Sequence, residues 1–173
     1  DLNIEESPNE KSYIEYAQAT KDKKNPVSYS IENGTLTLKE AGNTGASYYI
    51  NVDISFLQAA LSSKNIEDYT KESSKYENYV TLYLPKDKLV SSAKIYLGYG
   101  DFYVKNATFD TTNIKLDDGD FDANTLTANS GKLTFSYGDC DLQKASLGNI
   151  SLTSKDGDLT VNELTLSGKT KIA

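Results

Sequence analysis

Four aspartates recur at matched places in two neighbouring segments, Gly119-Asp120-Phe121-Asp122 and Gly138-Asp139-Cys140-Asp141. If Phe121 and Cys140 point inward on strands, alternation sends Asp120, Asp122, Asp139 and Asp141 outward. Stacked on adjacent coils, these carboxylates would lie about 5–7 Å apart. Like charges that close repel, and a Ca²⁺ ion, which takes about 6–8 oxygen ligands, would relieve the repulsion. Asp117 and Asp118 lie just before, and Asp101 and Asp158 extend the column. A structural role competes with the metal: an Asp after Gly caps turn backbone with its own side chain. The sequence also lacks the nine-residue Gly- and Asp-rich calcium repeat. Paired carboxylates raise polysaccharide cleavage as well, which needs one carboxyl held protonated near another. A solvated column of turn aspartates does not favour that chemistry.

A second set is aromatic. The chain has 13 Tyr and no Trp. Tyr96, Tyr99, Tyr103 and Tyr137 alternate against inward residues, which would expose them near one another. Exposed aromatics stack on sugars or make protein contacts. Ordinary solenoid surface is the competing account, since Tyr has good strand propensity. Cys140, the single cysteine, falls in an inward apolar position where no base activates it, so it reads as an inert thiol.

Composition excludes more than it specifies. There is no His, which removes His-based triads, His-zinc sites and His general bases. All 18 cations are Lys and net charge is −7, both unfavourable to nucleic-acid binding. No apolar run reaches the roughly 18 residues of a membrane span. The chain contains no Met, so it reads as a processed or trimmed fragment whose leader or anchor lies outside it. The expectation is a protein without enzyme activity and without a cofactor, Ca²⁺ being the one candidate ion.

The elements that would position these residues follow from a repeat. Gly-Asp pairs open at Gly100, Gly119, Gly138 and Gly157, a constant step of 19 residues. Other columns keep the spacing: Ala107, Leu126, Ala145 and Leu164, then Phe109, Ala128, Leu147 and Leu166. Apolar pairs precede each next Gly-Asp: Ile95/Leu97, Ile114/Leu116, Leu133/Phe135 and Ile150/Leu152. The last pair sits two residues early, which implies a re-registered turn. Each repeat therefore holds about three short strands with turn residues between them. Strands that short cannot bury a core alone, but stacked coils can, each strand pairing with its equivalent one coil on. The expectation is an all-β, single-stranded β-solenoid over residues 95–173. An antiparallel sandwich of short strands is the alternative.

Upstream, Val27–Lys39 reads as a hairpin turning at Asn33-Gly34. Tyr48–Ile54 and Tyr79–Leu84 read as strands, the latter stopped by Pro85. Ser55–Ser63 has the pattern of one short helix, and about 62–78 is a polar insertion. Residues 27–94 then form a β-rich cap, and residues 1–26 a partly mobile, acidic N-terminal segment, all within a single domain.

The stretch Tyr79-Val80-Thr81-Leu82-Tyr83-Leu84-Pro85-Lys86-Asp87-Lys88-Leu89, followed by the Gly-Asp coils, resembles an adhesin family of bacterial envelope-associated proteins. Ile31-Glu32-Asn33-Gly34-Thr35-Leu36-Thr37-Leu38 is similar to that family's early hairpin. The resemblance covers roughly Val27 to Ile172 and departs from the family between Ser62 and Asn78. It implies a β-solenoid, an extracytoplasmic location and no established enzyme activity; the adhesin label is itself inferred from architecture. It carries no catalytic residues. The leading expectation is a non-catalytic cell-surface module that binds a protein or glycan of the cell envelope. A self-assembling scaffold joined through a solenoid end is the alternative, and a polysaccharide-acting enzyme the third.

Overall fold

The computed structural model describes residues 1–9, 12–17, 27–32, 35–40, 49–53, 64–65 and 79–173. Its strands are β1 Leu2–Glu6, β2 Tyr13–Ala17, β3 Val27–Glu32, β4 Thr35–Glu40, β5 Tyr49–Asp53, β6 Lys64–Asn65, β7 Tyr79–Leu84, β8 Leu89–Leu97, β9 Phe102–Asp118, β10 Phe121–Tyr137, β11 Cys140–Asp156, β12 Leu159–Leu166 and β13 Lys171–Ile172. No helix occurs among the described residues. None is therefore long and apolar enough to cross a membrane, a statement that does not bear on β-barrels.

The repeat does what its spacing requires. β9 pairs parallel with β10 at Phe102↔Phe121, Val104↔Ala123, Ala107↔Leu126 and Phe109↔Ala128. β10 continues onto β11, and β11 onto β12, in the same register. Each partner lies 19 residues on, so every inward side chain stands over its equivalent and the apolar columns close into one core. Phe121 links two faces of that core, with ring centroids 5.2 Å from Phe102 and 5.0 Å from Phe135. The glycine column follows from the same stacking. Gly138 has φ 112°, and a Cβ there would collide with the carbonyl oxygen of Gly119 one coil away.

The sequence reading needs four adjustments. First, the solenoid starts earlier than residue 95. β8 stacks parallel on β9 from Leu89↔Thr108 to Leu97↔Leu116, so residues 89–94 belong to the first coil. Second, residues 2–6, placed in the N-terminal segment 1–26, form a strand of the sheet. β1 lies between β7 and β9, parallel to both, with Leu2↔Val80 and Leu2↔Phe102 in register. Leu2 and Ile4 are buried because they fill the Phe102 and Val104 columns one rung further along. Third, the coil that carries Ile150 and Leu152 is not re-registered; the shift comes one coil later, where Lys171 and Ile172 pair with Ser151 and Leu152 at a step of 20. Ile150 pairs with Gly131 and Leu152 with Leu133, keeping the step of 19; Gly131 in turn pairs with Thr112. That inward column reads Thr-Gly-Ile, and its small and polar members hid it from the apolar pattern. Fourth, Lys64-Asn65 of the polar stretch forms β6 on β2; the rest of that stretch lies outside the described residues.

At the N-terminal end the sheet continues with other strands. β5 pairs antiparallel with β8, β4 with β5 and β3 with β4, while β2 pairs antiparallel with β7. The Glu32↔Thr35 pair matches the expected hairpin, although Asn33 and Gly34 themselves lie outside the described residues. The short helix expected at Ser55–Ser63 also lies outside them.

Truncating a side chain in an intercalated strand should cost what any core truncation costs. Ile4→Ala is expected to lower unfolding free energy by about 2–5 kcal/mol in a urea titration. A loss under about 1 kcal/mol would mean that β1 does not occupy the core.

Candidate functional site

The Gly-Asp corner aligns its aspartates on successive coils. The backbone N–H of Asp120 donates to Asp101 Oδ1 at 2.9 Å, that of Asp139 to Asp120 Oδ1 at 2.8 Å, and that of Asp158 to Asp139 Oδ1 at 2.9 Å. The donors exist because the chain turns at Gly, leaving the next N–H aimed along the stack. A short carboxylate one coil away stands in register and has the length to accept it. Asp1 extends the ladder: its Oδ1 accepts from the Asp101 N–H at 3.1 Å. The turn-capping role therefore accounts for Asp120 and Asp139.

Sequence reasoning missed Asp1, although a signal was available. Asp1-Leu2-Asn3-Ile4 has the same pattern as Asp158-Leu159-Thr160-Val161.

Asp122 and Asp141 sit two residues further on and are direct cross-strand partners. Burial pushes the Asp122 carboxyl above its ordinary value, and the negative charges of Asp141, Asp120 and Asp101 push the same way. Among the described residues no three or more His, Cys, Asp or Glu are grouped as a metal ion would need. Cys140, in the inward column between Phe121 and Leu159, is buried, and its thiol is pushed up to about 12 chiefly by burial. It is not a nucleophile at neutral pH.

The four tyrosines separate into two kinds. Tyr96 and Tyr103 are half-buried and tied down. The Tyr96 hydroxyl donates to Asp117 Oδ2 at 2.5 Å, and Lys115 Nζ lies 2.6 Å from Asp117 Oδ1 and 4.9 Å from the Tyr96 ring centroid. The hydrogen bond to Asp117 is the main reason that the Tyr96 phenol is held above its usual value. Burial works to raise Asp117, but the hydrogen bonds from Lys115 and Tyr96 outweigh it and hold the carboxyl low. Tyr103 accepts a hydrogen bond from Asn124 Nδ2 at 2.8 Å. Tyr99 and Tyr137 instead stand out from the surface, 55% and 60% exposed. Each immediately precedes a repeat Gly, as do Asp118 and Asp156. The Tyr137 backbone pairs with both Asp118 and Asp156. The outward column therefore runs Tyr99, Asp118, Tyr137, Asp156, an alternation of aromatic and carboxylate along the stack. The two aromatics in it are two coil steps apart, about 9.5 Å.

A family model described as Toastrack DUF4097 matches residues 1–173. The chain belongs to the Toastrack DUF4097 family. Toastrack is a domain family of unknown function, so the match supports the solenoid and adds no site residue. No curated protein and no solved structure matches the chain.

If the aspartate ladder serves the Toastrack backbone, an amide at position 139 should serve as well. Asp139→Asn keeps the oxygen acceptor and is expected to unfold within about 0.5 kcal/mol of the parent, while Asp139→Ala loses about 1–2 kcal/mol. Equal losses for Asn and Ala would show that the charge, not the hydrogen bond, is what the position needs.

The raised Asp122 makes a pH-dependent prediction. The folded state holds that proton more tightly than the unfolded state, so its contribution to stability falls as pH rises through the raised value. Asp122→Asn should therefore raise stability at pH 7, by about 0.5 kcal/mol after solvent screening. The gain should vanish at pH below the ordinary carboxylate range. Unfolding curves showing a loss, or a gain that persists in acid, would contradict this.

Proposed function

We propose that this chain is a non-catalytic, adhesin-like module of the bacterial cell envelope, exposed outside the cytoplasm, that binds an extended protein or glycan along its solenoid face. The observation that carries the reading is the exposed column Tyr99–Asp118–Tyr137–Asp156. Its aromatic faces recur at a spacing fixed by the coils rather than by flexible loops. An extended ligand with a regular repeat meets such a column in more than one place at once, and little ordering of the surface is needed on binding. The flanking carboxylates add polar contacts around each ring. Tyr96 and Tyr103, already engaged within the surface, would shape its edges.

A glycan and protein array with the purified domain tests the reading. Reproducible binding to a polymeric ligand is expected, weakened at least tenfold by Tyr137→Ser with unchanged stability. No ligand on either array, or a ligand indifferent to Tyr137→Ser, would sink it. Protease accessibility on intact producing cells tests the location: the domain should be cleaved while a cytoplasmic marker stays intact.

A further inference from the structure

The two ends of the solenoid differ. At the N-terminal end β7 and β8 pair with antiparallel strands. At the other end β12 pairs only with β11 among the described strands. That end is also where apolar surface gathers: Leu164 is 41%, Leu166 51% and Ile172 39% exposed. Leu159 and Val161 are half-buried, although Cys140 and Leu142 beneath them are fully buried. An apolar strand edge in this state takes another strand unless something blocks it. β12 contains no Pro, and its one charged residue, Glu163, is paired with Lys144 at 3.6 Å.

The sequence of β12 says what fits there. Leu159-Thr160-Val161-Asn162-Glu163-Leu164-Thr165-Leu166 is nearly the same read backwards. Laid antiparallel against a second copy about the point between Asn162 and Glu163, it sets Leu159 against Leu166, Thr160 against Thr165, Val161 against Leu164 and Asn162 against Glu163. Leu159, Val161, Leu164 and Leu166 all continue inward columns, over Cys140, Leu142, Ala145 and Leu147. The pairing therefore puts inward side chains against inward ones, and Thr against Thr on the outer face, a favourable cross-strand pair. Continued past the strand, the match places Asp158 against Ser167, Gly157 against Gly168 and Asp156 against Lys169. No pair opposes like charges, and one opposes unlike charges.

The coil geometry agrees. A two-fold axis through the corner between Asn162 and Glu163 leaves the coil about half of a 19-residue turn later, near Ile172. There Ile172, standing over Leu152 and exposed, would meet its own copy. We propose that this chain forms an isologous dimer in which two solenoids join end to end through antiparallel β12 strands. The apolar cores of the two copies then run on through the junction. The arrangement closes with two copies, because the interface is isologous and both copies use the same strand in it. A head-to-tail stack would instead have to dock β12 on the antiparallel strands of the other end, which lack the matching register.

Sedimentation of the 173-residue chain over a range of concentrations tests the proposal, together with disulfide formation between variants that each carry one added cysteine beside the buried Cys140. The expected result is a species whose mass doubles as concentration rises and goes no further. Leu164→Lys should remain monomeric with an unchanged circular dichroism spectrum; Leu164 is exposed, so the fold tolerates the change. Thr160→Cys mixed with Thr165→Cys should form a disulfide-linked dimer under mild oxidation, and neither variant alone should do so to a comparable extent. Three results would overturn the proposal: a monomer at the highest soluble concentration, growth beyond the dimer into open chains, or a dimer that forms equally with Leu164→Lys or lacks the mixed disulfide.

Discussion

Most of this molecule depends on one register: from β8 to β12 each residue of a coil stands over the residue 19 positions earlier, and only β13, on β11, is offset by 20. Strands of two or three inward residues bury too little apolar area to persist singly. Held in this register, they share continuous columns and satisfy each other's backbone groups. The Gly corners permit it, because at Gly138 only a hydrogen fits beside the Gly119 carbonyl. The aspartates complete it by accepting the N–H groups that those corners aim along the stack. Beside that ladder, burial first and the charges of Asp141, Asp120 and Asp101 second hold the Asp122 carboxyl above its ordinary value.

The register also decides which chemistry the surface can present. Groups that looked reactive in the sequence are taken up by the scaffold: Asp120 and Asp139 by the ladder, Cys140 by the core, Tyr96 by Asp117 and Lys115. What remains outward repeats at coil spacing, as in the column containing Tyr99 and Tyr137. A surface of that kind suits recognition of something extended. At β12 and β13 the inward columns carry exposed apolar side chains, Leu164, Leu166 and Ile172. The two proposed uses therefore fall on different surfaces, the face for a ligand along the coils and the end for a second copy.

Much of the solenoid was legible because the Phe102, Phe121, Cys140, Leu159 column is apolar throughout and each member follows a Gly-Asp pair. The third face was misread where the column runs Thr112, Gly131, Ile150. Long-range pairing places a small or polar residue inward there, and no local pattern reveals it. The place of β1 was missed for a different reason. Leu2 and Ile4 alternate correctly, but nothing local says that a strand from the start of the chain lies between β7 and β9. The tyrosines show the same limit. Alternation finds that Tyr96 points outward, yet its partner Asp117 comes from the next coil. The aromatic-carboxylate column needs the stack before it can be seen at all.

The most direct test of the register is the pattern of proton–proton contacts between strands in solution, read by nuclear Overhauser spectroscopy on the isotopically labelled chain. A parallel stack places the Hα and amide protons of partners at constant sequence separation close together. Cross-strand contacts linking Ala107, Leu126, Ala145 and Leu164, each 19 residues from the next, are the predicted result. Close Hα–Hα contacts between residues 95 and 166, with partner numbers rising along one strand as they fall along the other, would mean antiparallel strands and would contradict the solenoid.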